Sequence, residues 1–564
     1  MCGIVGYIGY RSAQALLQAS LGKLEYRGYD SCGLAVAAEH GLMVQKNIGR
    51  VPELISNSPP VCGNAGIGHT RWASCGLPIR SNAHPHLDCS GRIAIVHNGN
   101  ITNYLDLRTR LEGFGHSFQS NTDSEVLAHL IEQNYRGDLV HALEETVKEL
   151  EGSYAIVALH QDEKCLAAVC RGNSLVIGLG DEENWVASDI IAFFEYTSRV
   201  IYLEDGDLTV IDGEQSKIFR GGHLVDLPVE DIDWPLESAG KNGYEHYMLK
   251  EIHEQPRILR QNTGRWLAEG LNSEFTDLWH HAVVSPVVIG CGSSYHAGLM
   301  GKYFSEILTG RLVGVELASE FNHRFPSTNS SKRLVIGLTQ SGETADTING
   351  LKKMQQSGAG ILAITNTPGS NVTRIAAKTL LLGAGPEISV AATKTYTAQL
   401  VSLLCLIIGI SGLRDRRYNQ LVEAIRDVPV LVQQILDNQE KIKEKARWLA
   451  DYHNVICIGR GIQYPVVLEG ALKLKEVAYI HAEACAAGEL KHGPLALLSA
   501  ETPVIAVFGE NDVREAMLTA VREVKVRGAK VLAIVPGNDD MVTQLADEVI
   551  AVPVTVPLLQ PVIN

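Results

Sequence analysis

The sequence predicts a strand-rich α+β domain followed by a duplicated parallel α/β unit, on three observations. Up to about residue 235, short apolar runs (IAIVHNGNI, GSYAIVAL, SLVIGLG, RVIYLEDGDLTVI) alternate with Gly-Asn, Asp-Gly and Gly-Asp turn signals. Beyond that point apolar strands are separated by long helical patterns, the texture of βαβ units in a parallel sheet. That second half also repeats itself. VVIGCGSS around Ile289 recurs as VICIGRGI around Ile458, LVIGLTQSG at Ile336 as PVIAVFGEN at Ile505, and GILAITN at Leu362 as KVLAIVP at Leu532. The offsets are 458 − 289 = 169, 505 − 336 = 169 and 532 − 362 = 170. Three strands at one spacing indicate a duplicated domain, with the charged helical stretch Arg414 to Tyr452 joining the copies. The predicted boundaries are 1–235 for the first domain, 236–247 for a polar, Gly-containing linker, 248–430 for the first copy and 431–564 for the second.

Composition limits the function. A chain of 564 residues is too long for one core. The charge balance of 49 − 64 = −15 argues against a nucleic-acid partner, though an acidic protein still binds phosphate at helix N-termini. MCGIVGYIGY carries no basic n-region or cleavable apolar stretch, so the expected compartment is the cytoplasm. The apolar run Leu400 to Ile410 is shorter than the roughly 20 residues that span a bilayer and reads as a buried helix, with no membrane partner. The 11 cysteines form no CxxC pairs and have no histidines at zinc spacing, so neither a disulfide framework nor a metal site is expected.

Cys2 follows the initiator Met, which is usually trimmed before a small residue. Trimming leaves a thiol and a free α-amine on one residue, and the amine's reference pKa of about 7.7–8.0 suits a local base. A buried structural cysteine at the start of a strand is the plain alternative. The context favours chemistry: CGIVGYIG is followed in order by LEYRGYDSCG, GHTRWAS, NAHPH, VHNGNITNY and TDSEV. This series resembles the glutaminase domain of the N-terminal-nucleophile amidotransferases and covers residues 1 to 235. The resemblance implies an αββα fold with Cys2 as nucleophile. It gives the oxyanion donors to Asn98 and Gly99, glutamine's α-carboxylate to Arg71 and its α-ammonium to Asp123. Trp72 and Ser74 complete the glutamine pocket, with Trp72 also gating an ammonia channel. Alone, Asn98–Gly99 would be a turn, Arg71 a surface charge and Asp123 a helix N-cap before Ser124. Where the family reads TRWATHG, this chain has Ser74-Cys75-Gly76. A thiol cannot replace an imidazole as a strong hydrogen-bond partner, so weakened glutamine binding is expected.

In the second half, Gly290-Cys291-Gly292-Ser293-Ser294 follows a strand and opens a helix, and Thr339-Gln340-Ser341-Gly342-Glu343-Thr344 does the same one strand later. Two hydroxyl-rich loops at neighbouring strand ends make a phosphate cradle, without the lysine of a Walker loop. TQSGETADT resembles sugar isomerase domains, which implies phosphate binding by Ser294, Thr339, Gln340, Ser341 and Thr344. The second copy lacks these hydroxyls. LEGALKLKEVAYIHAEACAAGELKHGPLALL, from Leu468 to Leu498, closely resembles the isomerase region of the glutamine–fructose-6-phosphate aminotransferase family. That resemblance assigns Glu476 to moving a proton between C1 and C2 of the sugar and Lys473, three residues earlier on the same helix face, to steadying charge. It makes His492 a ring-opening acid/base contributed across a dimer interface, hence a homodimer. Read without it, Lys473 and Glu476 are an exposed ion pair and His492 a loop histidine.

The implied substrates are glutamine and fructose-6-phosphate, the product glucosamine-6-phosphate, and no cofactor is needed. Family members continue into an apolar helix and a tail near DQPRNLAKSVTVE, whose lysine forms the imine with the open-chain sugar. This sequence stops at Asn564, so a fragment, or a paralogue with glutaminase but little synthase activity, is the rival expectation. A purine-pathway amidotransferase would need an acidic phosphoribosyl loop that is not found. A sugar-phosphate-sensing regulator would carry a basic DNA-binding domain instead of an N-terminal cysteine domain.

Overall fold

The computed structural model describes residues 2–232, 240–269, 273–324, 330, 332–509 and 513–564. It divides into two compact units, Met1–Asn242 and Gly243–Asn564. Residues 236–239 of the expected linker lie outside the described residues. Residues 240–246 form turns before a helix begins at Tyr247.

The first unit is built on two antiparallel sheets, one of eight strands and one of seven. In the first sheet β1 (Gly3–Ile8) lies between β2 (Ala65–Arg71) and the strand Asn184–Ala187. In the second, β3 (Ile93–Ile101) lies between the short strand His86–Leu87 and β4 (Gly152–His160). The inner faces meet through Ile4, Ile67, Val96 and Val157, all fully buried, because both sheets alternate apolar side chains inward. Helix α1 (Ala13–Leu24) covers the first sheet with Leu17 and Leu21. Helices α2 (Glu125–Asn134) and α3 (Leu139–Val147) cover the second. These four layers are the expected αββα arrangement. The layering brings the start of β1, the end of β2 and the end of β3 to one edge, where Cys2, Arg71 and Asn98 sit.

The second unit opens with α4 (Tyr247–Glu269) and holds two parallel five-stranded sheets. The first contains β5 (Val287–Gly290), β6 (Leu334–Thr339) and β7 (Gly360–Thr365), flanked by Gly314–Leu317 beside β5 and Lys378–Leu381 beside β7. The second repeats that order with β8 (Asn454–Gly459), β9 (Val504–Val507) and β10 (Val531–Pro536), flanked by His481–Ala486 and Glu548–Val552. The three repeated sequence segments therefore become equivalent strands.

Helix α5 (Ser293–Thr309) leaves β5, and α6 (Ala345–Gln356) leaves β6. Because the chain crosses from β5 to opposite sides of the sheet, the gap between the ends of β5 and β6 is the topological switch point, where such sheets bind ligands. The matching gap in the second sheet is filled by protein. Gln463 there is 1% exposed, and the Asn564 side chain donates to its Oε1 at 3.0 Å and to the Phe508 carbonyl at 2.8 Å.

The apolar run near Leu400 lies in α7 (Lys394–Ser411), an 18-residue helix buried in the core of this unit. By length and composition it could cross a membrane, but its apolar surface is packed against β-sheet and helix side chains such as Leu338, Phe304 and Val428. The segment joining the copies is helical, as α8 (Arg416–Asp437) and α9 (Gln439–Leu449).

Candidate active sites

In the first unit the Cys2 thiol is half-buried and accepts a hydrogen bond from the Trp72 N–H at 3.3 Å. Burial pushes this thiol up, against the opposing pull of that N–H and of the Arg71 and Arg27 charges. The Cys2 carbonyl accepts from Arg27 Nε at 2.9 Å and from Asn98 Nδ2 at 3.0 Å. Asn98 thus stands beside Cys2, its amide donating to the Cys2 backbone. Its other end is fixed by His69, whose Nε2 lies 3.1 Å from Asn98 Oδ1 and 3.0 Å from the His97 carbonyl. Burial pushes His69 down to about 3, so the ring is neutral. Two acceptor oxygens at Nε2 place its one proton there, and that proton fixes which way the Asn98 amide points.

Gly99 has φ +133°, and a Cβ would stand 2.0 Å from the Ser153 carbonyl oxygen. Only glycine takes this conformation and approach. Gly99→Ala is expected to cost about 1–3 kcal/mol of stability, read by thermal denaturation.

Arg71 is 3% exposed and donates to the carbonyls of Leu77 (3.3 Å), Gly76 (2.9 Å) and Cys75. The loop that departs from the family pattern is therefore wrapped around this guanidinium. Cys75 Sγ makes only a long contact, 3.9 Å, to the Asn121 carbonyl. Trp72 is 44% exposed and meets Tyr29 edge to face at 5.2 Å. Ser74 is exposed and is not hydrogen-bonded to the other predicted residues. Asp123 is buried, but it is not the N-cap of α2. That position belongs to Ser124, while Asp123 Oδ2 accepts from the Ile101 N–H at 2.9 Å. The carboxylate is so tied to the end of β3, two residues beyond Gly99.

In the second unit Ser294 and Thr339 are buried at the switch point, while Gln340, Ser341 and Thr344 are partly exposed above it. Gln399 Nε2 donates to Ser294 Oγ at 3.0 Å. The Thr339 and Thr344 hydroxyls lie 3.1 Å apart, and Ser341 Oγ accepts from the Glu343 N–H at 3.1 Å. Gly342 has φ +70°, with a Cβ position only 1.9 Å from Ser370 Oγ, so the loop is held tightly in its turn.

Lys473 ends α10 (Tyr464–Lys473), and its ammonium donates to Glu476 Oε2 at 2.6 Å, as their spacing predicts. The helix does not continue as α: Leu474–Ala478 is a π-helical turn, closed by Tyr479 at φ +55°. Such turns cost stability and recur at functional sites.

Sequence reasoning missed a second carboxylate here. Glu469 accepts from Ser293 Oγ at 2.7 Å, pairs with His296 Nδ1 at 2.8 Å and lies 3.3 Å from Lys473 Nζ. Burial pushes this carboxyl up, but the His296 hydrogen bond and the Lys473 charge outweigh it and hold Glu469 below its usual value. The network joins the turn after β5 and the start of α5 to the helix carrying Lys473. Its only sequence signal was the position of Glu469 one turn before Lys473. His492 lies exposed at the end of a 3₁₀ turn, Ala487–His492, and makes no hydrogen bond to Lys473 or Glu476.

An N-terminal cysteine at the edge of an αββα sandwich, on one chain with paired parallel-sheet units, defines a glutamine amidotransferase fused to sugar isomerase domains. A family model for the glutamine amidotransferase domain matches residues 69–195, and one for the SIS domain matches residues 285–409 and 448–562. The chain is 42% identical over 580 residues to a glutamine–fructose-6-phosphate aminotransferase [isomerizing] of Thermus thermophilus, covering 100% of this chain and 95% of that one. It is also 42% identical over 574 residues to the Thermococcus kodakarensis protein of the same name, covering 100% and 94%. Among solved structures, the C-terminal domain of glucosamine-fructose-6-phosphate aminotransferase from Francisella tularensis superposes with a TM-score of 0.54 at 35% identity, over 57% of this chain and 93% of that domain. The chain belongs to the isomerising glutamine–fructose-6-phosphate aminotransferase family.

Proposed function

We propose that this chain takes ammonia from glutamine and delivers it to fructose-6-phosphate, giving glucosamine-6-phosphate and glutamate. The observation that supports this most directly is the joining, on one chain, of Cys2 set against Asn98 and Trp72 to a Lys473–Glu476 pair beside a hydroxyl-rich switch-point loop.

In the first half-reaction Cys2 Sγ attacks the side-chain amide carbon of glutamine. Its proton passes to the α-amine exposed by loss of Met1, and Asn98 Nδ2 with the Gly99 N–H receives the oxyanion. Collapse of the tetrahedral intermediate expels ammonia, and water hydrolyses the thioester to glutamate. Arg71 and Asp123 hold the α-carboxylate and α-ammonium, with Trp72 and Ser74 beside them.

In the second half-reaction Ser294, Thr339, Gln340, Ser341 and Thr344 hold the sugar phosphate, and ammonia condenses with the C2 carbonyl with loss of water. Glu476 then takes a proton from C1 and returns it to C2, so that the C2 imine becomes an amine and the C1 hydroxyl a carbonyl, while Lys473 balances the charge that develops. His492 opens the sugar ring from the partner subunit of a homodimer, which accounts for its exposure and its lack of hydrogen bonds to Glu476 within one chain.

The test follows glutamate and glucosamine-6-phosphate in one reaction. One-for-one formation is the expected result; glutamate without amino sugar overturns the synthase assignment.

A further inference from the structure

Away from both sites, Cys89, His116, His129 and Glu132 each bring one potential ligand atom within 4.8 Å of the other three. Sequence inspection passed over them because Cys89 and His116 are 27 residues apart and have no CxxC neighbour; only His129 and Glu132, three apart on α2, are close. Cys89 Sγ lies 3.5 Å from His116 Nδ1 and 3.4 Å from His129 Nδ1. Glu132 Oε2 lies 2.9 Å from His116 Nδ1 and 3.4 Å from His129 Nδ1. Zn–S and Zn–N lengths of about 2.3 and 2.0–2.1 Å in a tetrahedron imply ligand–ligand edges of roughly 3.3–3.6 Å; three of these separations match, and Glu132–His116 is shorter at 2.9 Å.

The orientation of the two rings fits the same site. His129 is 1% exposed. Its Nδ1 faces the thiol and Glu132, and its Nε2 has no hydrogen-bond partner and lies 3.7 Å from Glu125 Oε1. His116 is placed alike, with Nδ1 on Glu132 and Nε2 3.1 Å from Gln133 Oε1. Each Nδ1 thus faces the thiol or the carboxylate of the cluster, the position a shared metal ion would occupy. With the proton on Nε2 directed at Glu125 or Gln133, both rings take the form in which an outer carboxylate or amide orients a metal-bound histidine.

We propose that Cys89 Sγ, His116 Nδ1, His129 Nδ1 and Glu132 Oε2 form a closed, four-ligand transition-metal site of the kind that takes Zn²⁺, since thiolate with imidazole favours zinc over magnesium or calcium. Its place in the fold gives it a positioning role. It ties the turn at Cys89 and the segment at His116 to α2. His129 reaches Glu125, whose carboxylate accepts from the Gln119 and Ser120 N–H groups at 2.7 and 2.6 Å. That loop leads directly into Asp123.

The test uses the full chain, stripped with chelator and titrated with Co²⁺ as a visible probe, then with Zn²⁺. The expected result is one equivalent of tetrahedral cobalt with a thiolate charge-transfer band. The band is displaced by Zn²⁺, lost in Cys89→Ser and weakened about tenfold or more in affinity in His116→Ala. Zn²⁺ should raise the melting temperature of the unsubstituted chain by about 5 °C and leave that of Cys89→Ser unchanged. Absence of a stoichiometric tetrahedral spectrum, or the same spectrum in both variants, overturns the site. Stripping the metal should also raise the KM for glutamine several-fold with little change in kcat. An unchanged KM with metal bound overturns the positioning role alone, and that arm rests on the glutaminase reading whereas the cobalt spectrum does not.

Discussion

Cys2→Ala is expected to lower glutamate release from glutamine by about 10⁴-fold or more, because alanine cannot form the thioester. Cys2 is the residue whose Sγ receives the Trp72 N–H and whose carbonyl is held by Arg27 and Asn98, so the substitution deletes one sulfur and leaves both backbone anchors. The loss should therefore come with an unchanged melting temperature. With ammonium supplied directly, exchange of the C1 proton of fructose-6-phosphate in D₂O should persist, since Glu476 lies in the second compact unit. Burial pushes the Cys2 thiol up, so at neutral pH the group is a thiol that needs a base. The unsubstituted rate should accordingly rise with pH through the α-amine range of about 7.7–8.0 and level off above it. Retention of Met1 should depress the rate much as the alanine does. Residual glutaminase within tenfold of the original would remove Cys2 from the mechanism.

Glu476→Gln is expected to abolish amino-sugar formation, by roughly 10²–10⁴-fold, while glutamate release continues. Glutamine keeps the volume of the side chain and a hydrogen-bond acceptor for Lys473 Nζ, now 2.6 Å from Oε2, but it can neither take nor return a proton. The π-helical turn Leu474–Ala478 should survive the change, since no core packing is lost from a side chain that is one-third exposed. The decisive reading, with ammonium supplied directly, is solvent deuterium at C1 of fructose-6-phosphate: exchange should vanish in Glu476→Gln and remain in Cys2→Ala. Exchange that survives both substitutions would assign the proton transfer elsewhere, with Glu469 the other carboxylate beside Lys473, at 3.3 Å.

Much of this architecture is legible in the chain alone. The duplicated strands became two sheets of identical order because apolar runs flanked by helical patterns leave few alternatives for a parallel sheet. The switch-point loops could be read because a small-residue turn between strand and helix is a local feature, encoded over half a dozen consecutive residues. The i, i+3 spacing of Lys473 and Glu476 likewise survived. The break from α to π geometry at Leu474 did not show, because helical propensity is nearly blind to one extra residue in a turn. Asp123 looked like an N-cap because its neighbours are polar and precede a helix; only the nearness of the β3 end gives its carboxylate another N–H to accept.

Family membership, the N-terminal cysteine, the hydroxyl-rich loops and the Lys473–Glu476 pair could all be read from residue order, since each lies in a contiguous motif whose conformation is set within a few residues. What surrounds them came from the folded chain: His69 orienting Asn98 across 29 residues, Glu469 reaching Ser293 across 176, and Cys89 meeting His129 across 40. Those meetings depend on sheet register and on the layers that stack helices over strands. No local periodicity encodes them, because they arise only when distant segments are packed together to bury their apolar faces.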